Sequence, residues 1–130
     1  MNKKLIIFNW KMNPDSSEEA EKLFGMIHRQ ETREKKQGPE IVVAPPFVYL
    51  ERLKAISYKL KAKLAGQNCF WENYGAYTGE ISPIMLKKMG VEYVILGHSD
   101  VRKLGETNEM INKKIQEGLE AGLKVILCVG

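Results

Sequence analysis

Residues 5–27 read LIIFNWKMNPDSSEEAEKLFGMI, a strand pattern followed by a helix pattern. Leu5 to Phe8 is a short, continuous apolar run, which is typical of a strand buried on both faces. Asn13-Pro14-Asp15 interrupts that run. Ser16 and Glu19 then have the spacing of a capping box at the start of a helix. The apolar face of this helix consists of Ala20, Leu23, Phe24 and Ile27.

The same strand-then-helix pattern recurs to the end of the chain. Further apolar runs predict strands that begin near residues 41, 63, 93 and 124. Helices are predicted after Pro46, from Ser82-Pro83 to Gly90, and from Thr107 or Asn108 to Gly122. The first and last of these have apolar stripes at Leu50, Leu53 and Ile56, and at Ile111, Ile115 and Leu119. The order βαβαβαβαβ predicts an α/β fold with a parallel sheet, because helical crossovers connect parallel strands.

Two architectures fit this order. One is a doubly wound five-stranded sheet of flavodoxin type, and the other is part of a (β/α)8 barrel, which takes about 250 residues when complete. The chain has 130 residues, so it is expected to form a single domain over residues 1–130.

The composition narrows the possible functions. There are 20 Lys and Arg against 16 Asp and Glu, a formal charge of +4. The basic residues of 31–36 and 59–63 stand among Glu or Leu residues on predicted helices, which favours solvated faces over a nucleic-acid patch. No apolar run approaches the roughly 18 residues of a membrane span, and the run at residues 5–8 is too short for a signal peptide. We therefore expect a cytoplasmic protein that binds neither membrane nor nucleic acid.

No metal or cofactor site is indicated. Cys69 and Cys128 have no metal-ligand spacing. The chain has neither a GxGxxG nor a GxxxxGK[ST] motif, so neither a dinucleotide nor a P-loop site is predicted. It also lacks a GxSxG nucleophile elbow and the acidic residues that a response-regulator receiver needs after its first and third strands. We expect no cofactor and no metal.

Polar side chains follow the predicted strands, at the edge where both architectures bind ligands. Asn9 and Lys11 follow the first strand. Lys11 either faces an anion or is solvated, and Asn9 is either a site residue or a turn residue. His98 follows the fourth strand in Gly97-His98-Ser99-Asp100, and this position favours catalysis over a purely structural hydrogen bond.

Together these motifs resemble the triosephosphate isomerase family. Six segments match its signatures in order and spacing between residues 5 and 130. They are Asn9-Trp10-Lys11-Met12-Asn13, Ala44-Pro45-Pro46, Gly66-Gln67-Asn68, Gly75 to Ser82, Gly97-His98-Ser99 and Gly105-Glu106-Thr107. The resemblance implies that residues 1–130 are the N-terminal half of a TIM barrel, strands 1 to 5.

The resemblance also implies a glycolytic reaction and roles for individual residues. The reaction is the interconversion of dihydroxyacetone phosphate and glyceraldehyde 3-phosphate through an enediol or enediolate. Lys11 is similar to the lysine that attracts the phosphate and the developing oxyanion, and Asn9 to the asparagine that hydrogen-bonds the same region. His98 is similar to the neutral histidine that polarises the carbonyl, and Asp100 corresponds to a supporting carboxylate.

A homodimer is implied by the long connection of residues 68–82. In the family this loop reaches into the partner subunit, with Thr78 near the tip and Glu80 beyond it. Its aromatic residues are typical of a contact surface, although an ordinary surface excursion is the alternative. They are Phe70, Trp71, Tyr74 and Tyr77.

This sequence departs from the family pattern in several ways. Asp100 and Val101 stand where the family has Glu and Arg, and the stretch from His98 to Gly105 is one residue shorter.

The family's base is a Glu after strand 6, and its lid and phosphate loops also lie beyond five strands. We therefore expect residues 1–130 to be inactive alone. The alternative is a non-catalytic isomerase-like half-barrel that acts as an assembly or binding module. Another phosphate-binding barrel enzyme is less favoured, because Asn9, Lys11 and His98 occur together.

Overall fold

Strands and helices alternate along the chain in a computed structural model that describes residues 3–31 and 38–130. The strands are β1 (Leu5–Asn9), β2 (Glu40–Ala44), β3 (Lys63–Gly66), β4 (Tyr93–Leu96) and β5 (Lys124–Leu127). The helices are α1 (Ser17–Glu31), α2 (Leu50–Leu60), α3 (Pro83–Met89), α4 (Ser99–Arg102) and α5 (Asn108–Glu120), and a 3-10 turn spans Phe47–Tyr49. The predicted order of five strands and their connecting helices is therefore present.

The described residues group into two compact units, one that ends at Ala65 and one that spans Gly66–Gly130. That residues 1–130 form a single domain stays a prediction. The predicted solvated face of residues 31–36 falls largely on residues outside the described ranges.

The first unit is a parallel sheet covered by α1 and α2. β1 pairs with β2 from Leu5 opposite Glu40 to Asn9 opposite Ala44, and β2 pairs in parallel with β3. Phe24 of α1 and Leu53 of α2 are fully buried. Burial of each such side chain contributes about 1.5–3 kcal/mol, so these two helices are held by their apolar faces.

In the second unit β4 and β5 are parallel, from Tyr93 opposite Lys124 to Leu96 opposite Leu127. All of β4 is buried. Helix α5 lies against these strands through Gly118, where an added Cβ would be 3.6 Å from side-chain atoms of both Val94 and Val125. The glycine lets the helix approach the sheet closely.

The helix caps agree with the sequence analysis. Ser16 Oγ accepts a hydrogen bond from Glu19 N–H at 3.2 Å, as the capping-box spacing predicted. Ser82 accepts from Met85 N–H at the start of α3, and Thr107, rather than Asn108, caps α5 by accepting from Met110 N–H. Gly90 ends α3 with a φ of +100°, a conformation that glycine adopts without steric cost.

The expected burial of β1 on both faces is wrong for this structure. Leu5 is 42% exposed and Phe8 is 37% exposed. β1 is paired with β2 on one side, and no second neighbour of β1 lies within the described part of its unit. A strand at an edge keeps part of its apolar surface open.

The apolar stripe predicted for α5 is also partly wrong. Ile111 is buried as expected, but Leu119 is 58% exposed. The buried positions after Ile111 are Lys114 and Gly118 instead. The stripe is displaced because Lys114, which has buried hydrogen-bond partners, occupies the inward side of the helix.

Candidate functional site

The carboxyl end of β1 holds Asn9 and Lys11 in one local turn. Asn9 is the last residue of the strand, and its Oδ1 accepts a hydrogen bond from the Lys11 N–H at 2.9 Å. Lys11 has a φ of +57°, in the left-handed region that side chains other than glycine seldom adopt. Lys11 has therefore left the strand, and its exposed side chain is aimed by a backbone conformation that Asn9 supports.

The residues around this turn are anchored to the first unit. Trp10 N–H donates to Ala44 O at 3.0 Å, one step beyond the end of β1. The side-chain amide of Asn13 donates to Trp10 O, and Tyr49 OH donates to Pro14 O at 2.7 Å. These bonds fix both flanks of Lys11, so its backbone does not depend on Asn9 alone.

At the carboxyl end of β4, His98 caps the short helix α4. Its Nδ1 accepts a hydrogen bond from Asp100 N–H at 3.0 Å. A nitrogen that accepts must carry a lone pair, so this geometry selects the neutral imidazole with its proton on Nε2. Helix α4 was not among the predicted helices, because four residues are too few to give a periodic pattern.

Asp100 contacts His98 through its side chain as well. Its Oδ2 lies 3.6 Å from His98 Nδ1, too far for a hydrogen bond but close enough for electrostatic attraction to a protonated ring. Both side chains are partly exposed, 23% for His98 and 49% for Asp100. The Asp100 carboxylate thus lies beside the His98 ring, and its role as a supporting carboxylate stays a prediction.

The sequence analysis missed a buried polar cluster on the inward side of α5, formed by Lys114, Glu106 and Asn68. Lys114 Nζ donates to Glu106 Oε2 at 2.5 Å and to Asn68 Oδ1 at 3.1 Å. The Lys114 and Glu106 side chains are only 7% and 3% exposed. Glu106 Oε1 is buried and has no hydrogen-bond partner among the described residues. The available signal was the position of Lys114, three residues after Ile111 and hence on the same face of the helix.

Cys69 lies next to this cluster. The thiol is buried, and desolvation raises its pKa to about 12, while the positive charge of Lys114 acts in the opposite direction. A thiol with so high a pKa is not a nucleophile at neutral pH. Asn68 Oδ1, which accepts from Lys114, also accepts from Cys69 N–H at 2.9 Å, so the cluster holds the start of the 68–82 loop.

The loop of residues 68–82 is closed at its base and carries an aromatic cluster. Phe70 N–H donates to Ile81 O at 2.8 Å. The Phe70 ring stacks on Trp71 at 4.2 Å and contacts Tyr77 at 4.6 Å between centroids. Thr78 and Glu80 are exposed next to this cluster.

The structure thus joins the predicted site residues in two groups. Asn9 and Lys11 share one turn in the first unit, and His98 and Asp100 share another in the second unit. Within residues 3–31 and 38–130, no group of three or more His, Cys, Asp or Glu side chains is arranged to hold a metal ion. No helix in the same described ranges has both the length and the apolarity to cross a membrane.

Strands that alternate with helices, with polar side chains at the carboxyl ends of β1 and β4, define the class of α/β proteins with a parallel sheet. Residues 4–130 match the family model described as triosephosphate isomerase. The chain therefore belongs to the triosephosphate isomerase family, and the predicted fold class, a partial (β/α)8 barrel, is confirmed.

Curated relatives agree with this family. The chain is 47% identical to the triosephosphate isomerase of Dictyoglomus thermophilum and 46% identical to that of Thermodesulfovibrio yellowstonii. It is 44% identical to that of Thermoanaerobacter pseudethanolicus. Each comparison covers all of this chain but only 51–52% of the relative, so the chain spans about half the length of the relatives it matches.

Proposed function

We propose that this chain supplies the electrophile and the anion-binding residues of a triosephosphate isomerase. The substrates would be dihydroxyacetone phosphate and glyceraldehyde 3-phosphate, interconverted in glycolysis and gluconeogenesis by proton transfer through an enediolate. Support comes from the family match and from three relatives that carry this name. A cytoplasmic location belongs to the same proposal.

The geometry of His98 is the observation that carries the proposal. Because Nδ1 accepts from the Asp100 N–H, Nε2 carries the proton and is the ring's hydrogen-bond donor. A neutral imidazole donor polarises a substrate carbonyl and stabilises the oxyanion that forms when a proton leaves the adjacent carbon. The hydrogen bond from Asp100 N–H to Nδ1 supports this role for His98.

Asn9 and Lys11 complete the set in the proposed reaction. Asn9 uses its Oδ1 to accept from Lys11, which leaves the Nδ2 amide as a donor for a substrate oxygen. The Lys11 ammonium is a compact positive charge suited to a phosphate and to a developing oxyanion. We assign no role in proton abstraction to any of these three residues.

Residues 1–130 alone are expected to give no turnover, because the family's carbon-acid base follows a sixth strand and these residues supply five. The test is a fusion of residues 1–130 to the remaining half of the Thermodesulfovibrio yellowstonii enzyme, assayed with both triose phosphates. We expect activity from the fusion and none from the 130-residue chain. Normal turnover by the chain alone would contradict the inactivity, and a folded but inactive fusion would contradict the proposed function.

Two histidine variants of the fusion provide a matched comparison, because the chain contains only His28 and His98. His98→Asn removes the proposed electrophile and is expected to lower kcat by about 100- to 1000-fold. His28→Asn, the control, is expected to leave kcat unchanged. Equal effects of the two substitutions would argue against a catalytic His98.

We propose that the 68–82 loop forms a homodimer contact. Tyr74 is 68% exposed and Tyr77 is 43% exposed, so aromatic surface is available beside the buried Phe70. Exposed aromatic residues are enriched at such interfaces. In sedimentation velocity, the fusion is expected to be a dimer and its Thr78→Arg variant a monomer, with Lys103→Met as a surface control. A dimer that Thr78→Arg leaves intact would contradict this contact.

The second candidate function is a non-catalytic assembly module. Its support is open apolar surface in each unit: Phe8 of β1 is 37% exposed, and Val129, just after β5, is 78% exposed. Unpaired strand edges favour association with another chain. This candidate predicts that residues 1–130 form a defined oligomer and that the fusion lacks isomerase activity.

A further inference from the structure

Arg102 makes three side-chain hydrogen bonds at the carboxyl ends of β4 and β5. Its Nε donates to Gly97 O at 2.6 Å, and one Nη donates to Asn108 Oδ1 at 2.8 Å. The other Nη donates to Cys128 O at 3.2 Å. The guanidinium therefore links the end of β4, the residue after β5 and the first residue of α5.

Two of the Arg102 bonds lie on either side of His98. The Gly97 carbonyl is part of the peptide group that joins Gly97 to His98. This carbonyl accepts a hydrogen bond from the Arg102 guanidinium. The His98 carbonyl accepts from the Arg102 backbone N–H at 3.0 Å. The guanidinium thus holds the peptide group before the histidine, and the backbone N–H groups of Val101 and Arg102 hold the one after it.

The absence of a side chain at Gly97 leaves the space that the Arg102 guanidinium occupies. Its φ is +75°, and an added Cβ would be 2.9 Å from an Arg102 Nη atom and 3.1 Å from Cys128 O. A side chain at position 97 would displace the arginine. Position 97 is therefore restricted to glycine both by its backbone conformation and by the space that Arg102 occupies.

We propose that Arg102 is the positioning residue that holds the His98 ring in its Nε2–H state. By fixing the turn around His98, it keeps the Asp100 N–H on Nδ1. The catalytic consequence rests on the proposed function of His98, but the ring geometry can be measured without any activity. Lysine could replace only one of the three bonds, because its ammonium lacks the planar fork of arginine.

The first test is nuclear magnetic resonance of the 130-residue chain labelled with ¹⁵N-histidine at about pH 8, above the ordinary pKa of histidine. The variant His28→Asn assigns the two rings. In the unsubstituted chain we expect the His98 nitrogens to report a protonated Nε2 and an unprotonated Nδ1. In Arg102→Met we expect a mixture of the two tautomers, with a smaller change in the same direction for Arg102→Lys.

The control is Lys103→Met, which removes the neighbouring exposed cation and is expected to leave both histidines unchanged. A purely structural role would alter the unfolding midpoint of Arg102→Lys but not the tautomer of His98. If Arg102→Met does not fold, Arg102→Lys and Asn108→Ala decide the question. Unchanged His98 signals in the folded variants would overturn the proposal.

The second test uses the fusion protein. Arg102→Lys is expected to lower kcat by about 10- to 100-fold while KM changes less than about threefold, because a small misplacement of a reacting group affects the chemical step most. Millimolar guanidinium is expected to restore part of the kcat of Arg102→Ala. A change confined to KM would overturn the positioning role. A fusion with no activity would count against the proposed function and leave the tautomer test to decide on Arg102.

Discussion

Lys11 and Lys114 carry the same charge in opposite surroundings. Lys11 is exposed after β1, on a backbone with a φ of +57°. Lys114 is buried in the middle of α5, where its ammonium donates to Glu106 and Asn68. At Lys11 the free-energy cost lies in the left-handed backbone, while the ammonium stays near water. At Lys114 the backbone is ordinary helix, and the cost lies in removing the ammonium from water. A lysine placed in the first way is suited to meet a ligand, and one placed in the second way is suited to hold the fold.

The largest expected effect comes from breaking the buried pair. Lys114→Met leaves the Glu106 carboxylate buried without its partner, which typically costs about 3–5 kcal/mol of stability. Urea unfolding of the 130-residue chain measures this loss. The double variant Lys114→Met/Glu106→Leu removes both charges and is expected to recover most of it. A single variant that loses less than about 1 kcal/mol would show that water already reaches this pair.

The converse experiment is Lys11→Met. Its effect on the free energy of unfolding is expected to stay within about 0.5 kcal/mol, as for most surface substitutions. In the fusion protein, kcat/KM is expected to fall about 100- to 1000-fold, because the charge that we propose to stabilise the developing oxyanion is lost. Steady-state kinetics and urea unfolding of the same samples provide both numbers. Full activity in a folded Lys11→Met fusion would contradict the assigned role.

The sequence predicted the first lysine but not the second, for physical reasons. Lys11 was singled out by its position after a strand at the ligand-binding edge of a parallel sheet, but that position fits both a lysine that faces an anion and a solvated one. Its left-handed backbone was not predictable, because it depends on the Asn9 side chain and on Trp10 pairing with Ala44. Lys114 was not singled out, because charged residues are seldom buried and its partners lie 8 and 46 residues away in sequence. The strands and most helices were predictable, since their periodicity and caps are local.

The pH dependence of stability at Cys69 tests how far water is excluded from the surroundings of Lys114. Its pKa is raised to about 12 by burial, whereas the unfolded thiol titrates near about 8.5. The protonated thiol therefore contributes stability that is complete below about pH 8.5 and is lost as the pH rises toward 12. Relative to Cys69→Val, the free energy of unfolding of the unsubstituted chain is expected to fall by up to about 1.4 kcal/mol per pH unit above about pH 8.5. Urea unfolding at successive pH values measures this, and parallel curves for the two proteins would contradict it.

The smallest expected effect isolates the backbone cost of Lys11. Among the described residues other than glycine, positive φ values occur at Lys11 and at Lys61, which ends α2 with a φ of +54°. Replacing either lysine by glycine is expected to raise the free energy of unfolding by up to about 1 kcal/mol, because the left-handed conformation costs glycine nothing. Lys61→Gly is expected to leave the fusion fully active, whereas Lys11→Gly is expected to be as inactive as Lys11→Met. If both glycine variants were more stable and both were active, the strained backbone at Lys11 would have no functional purpose.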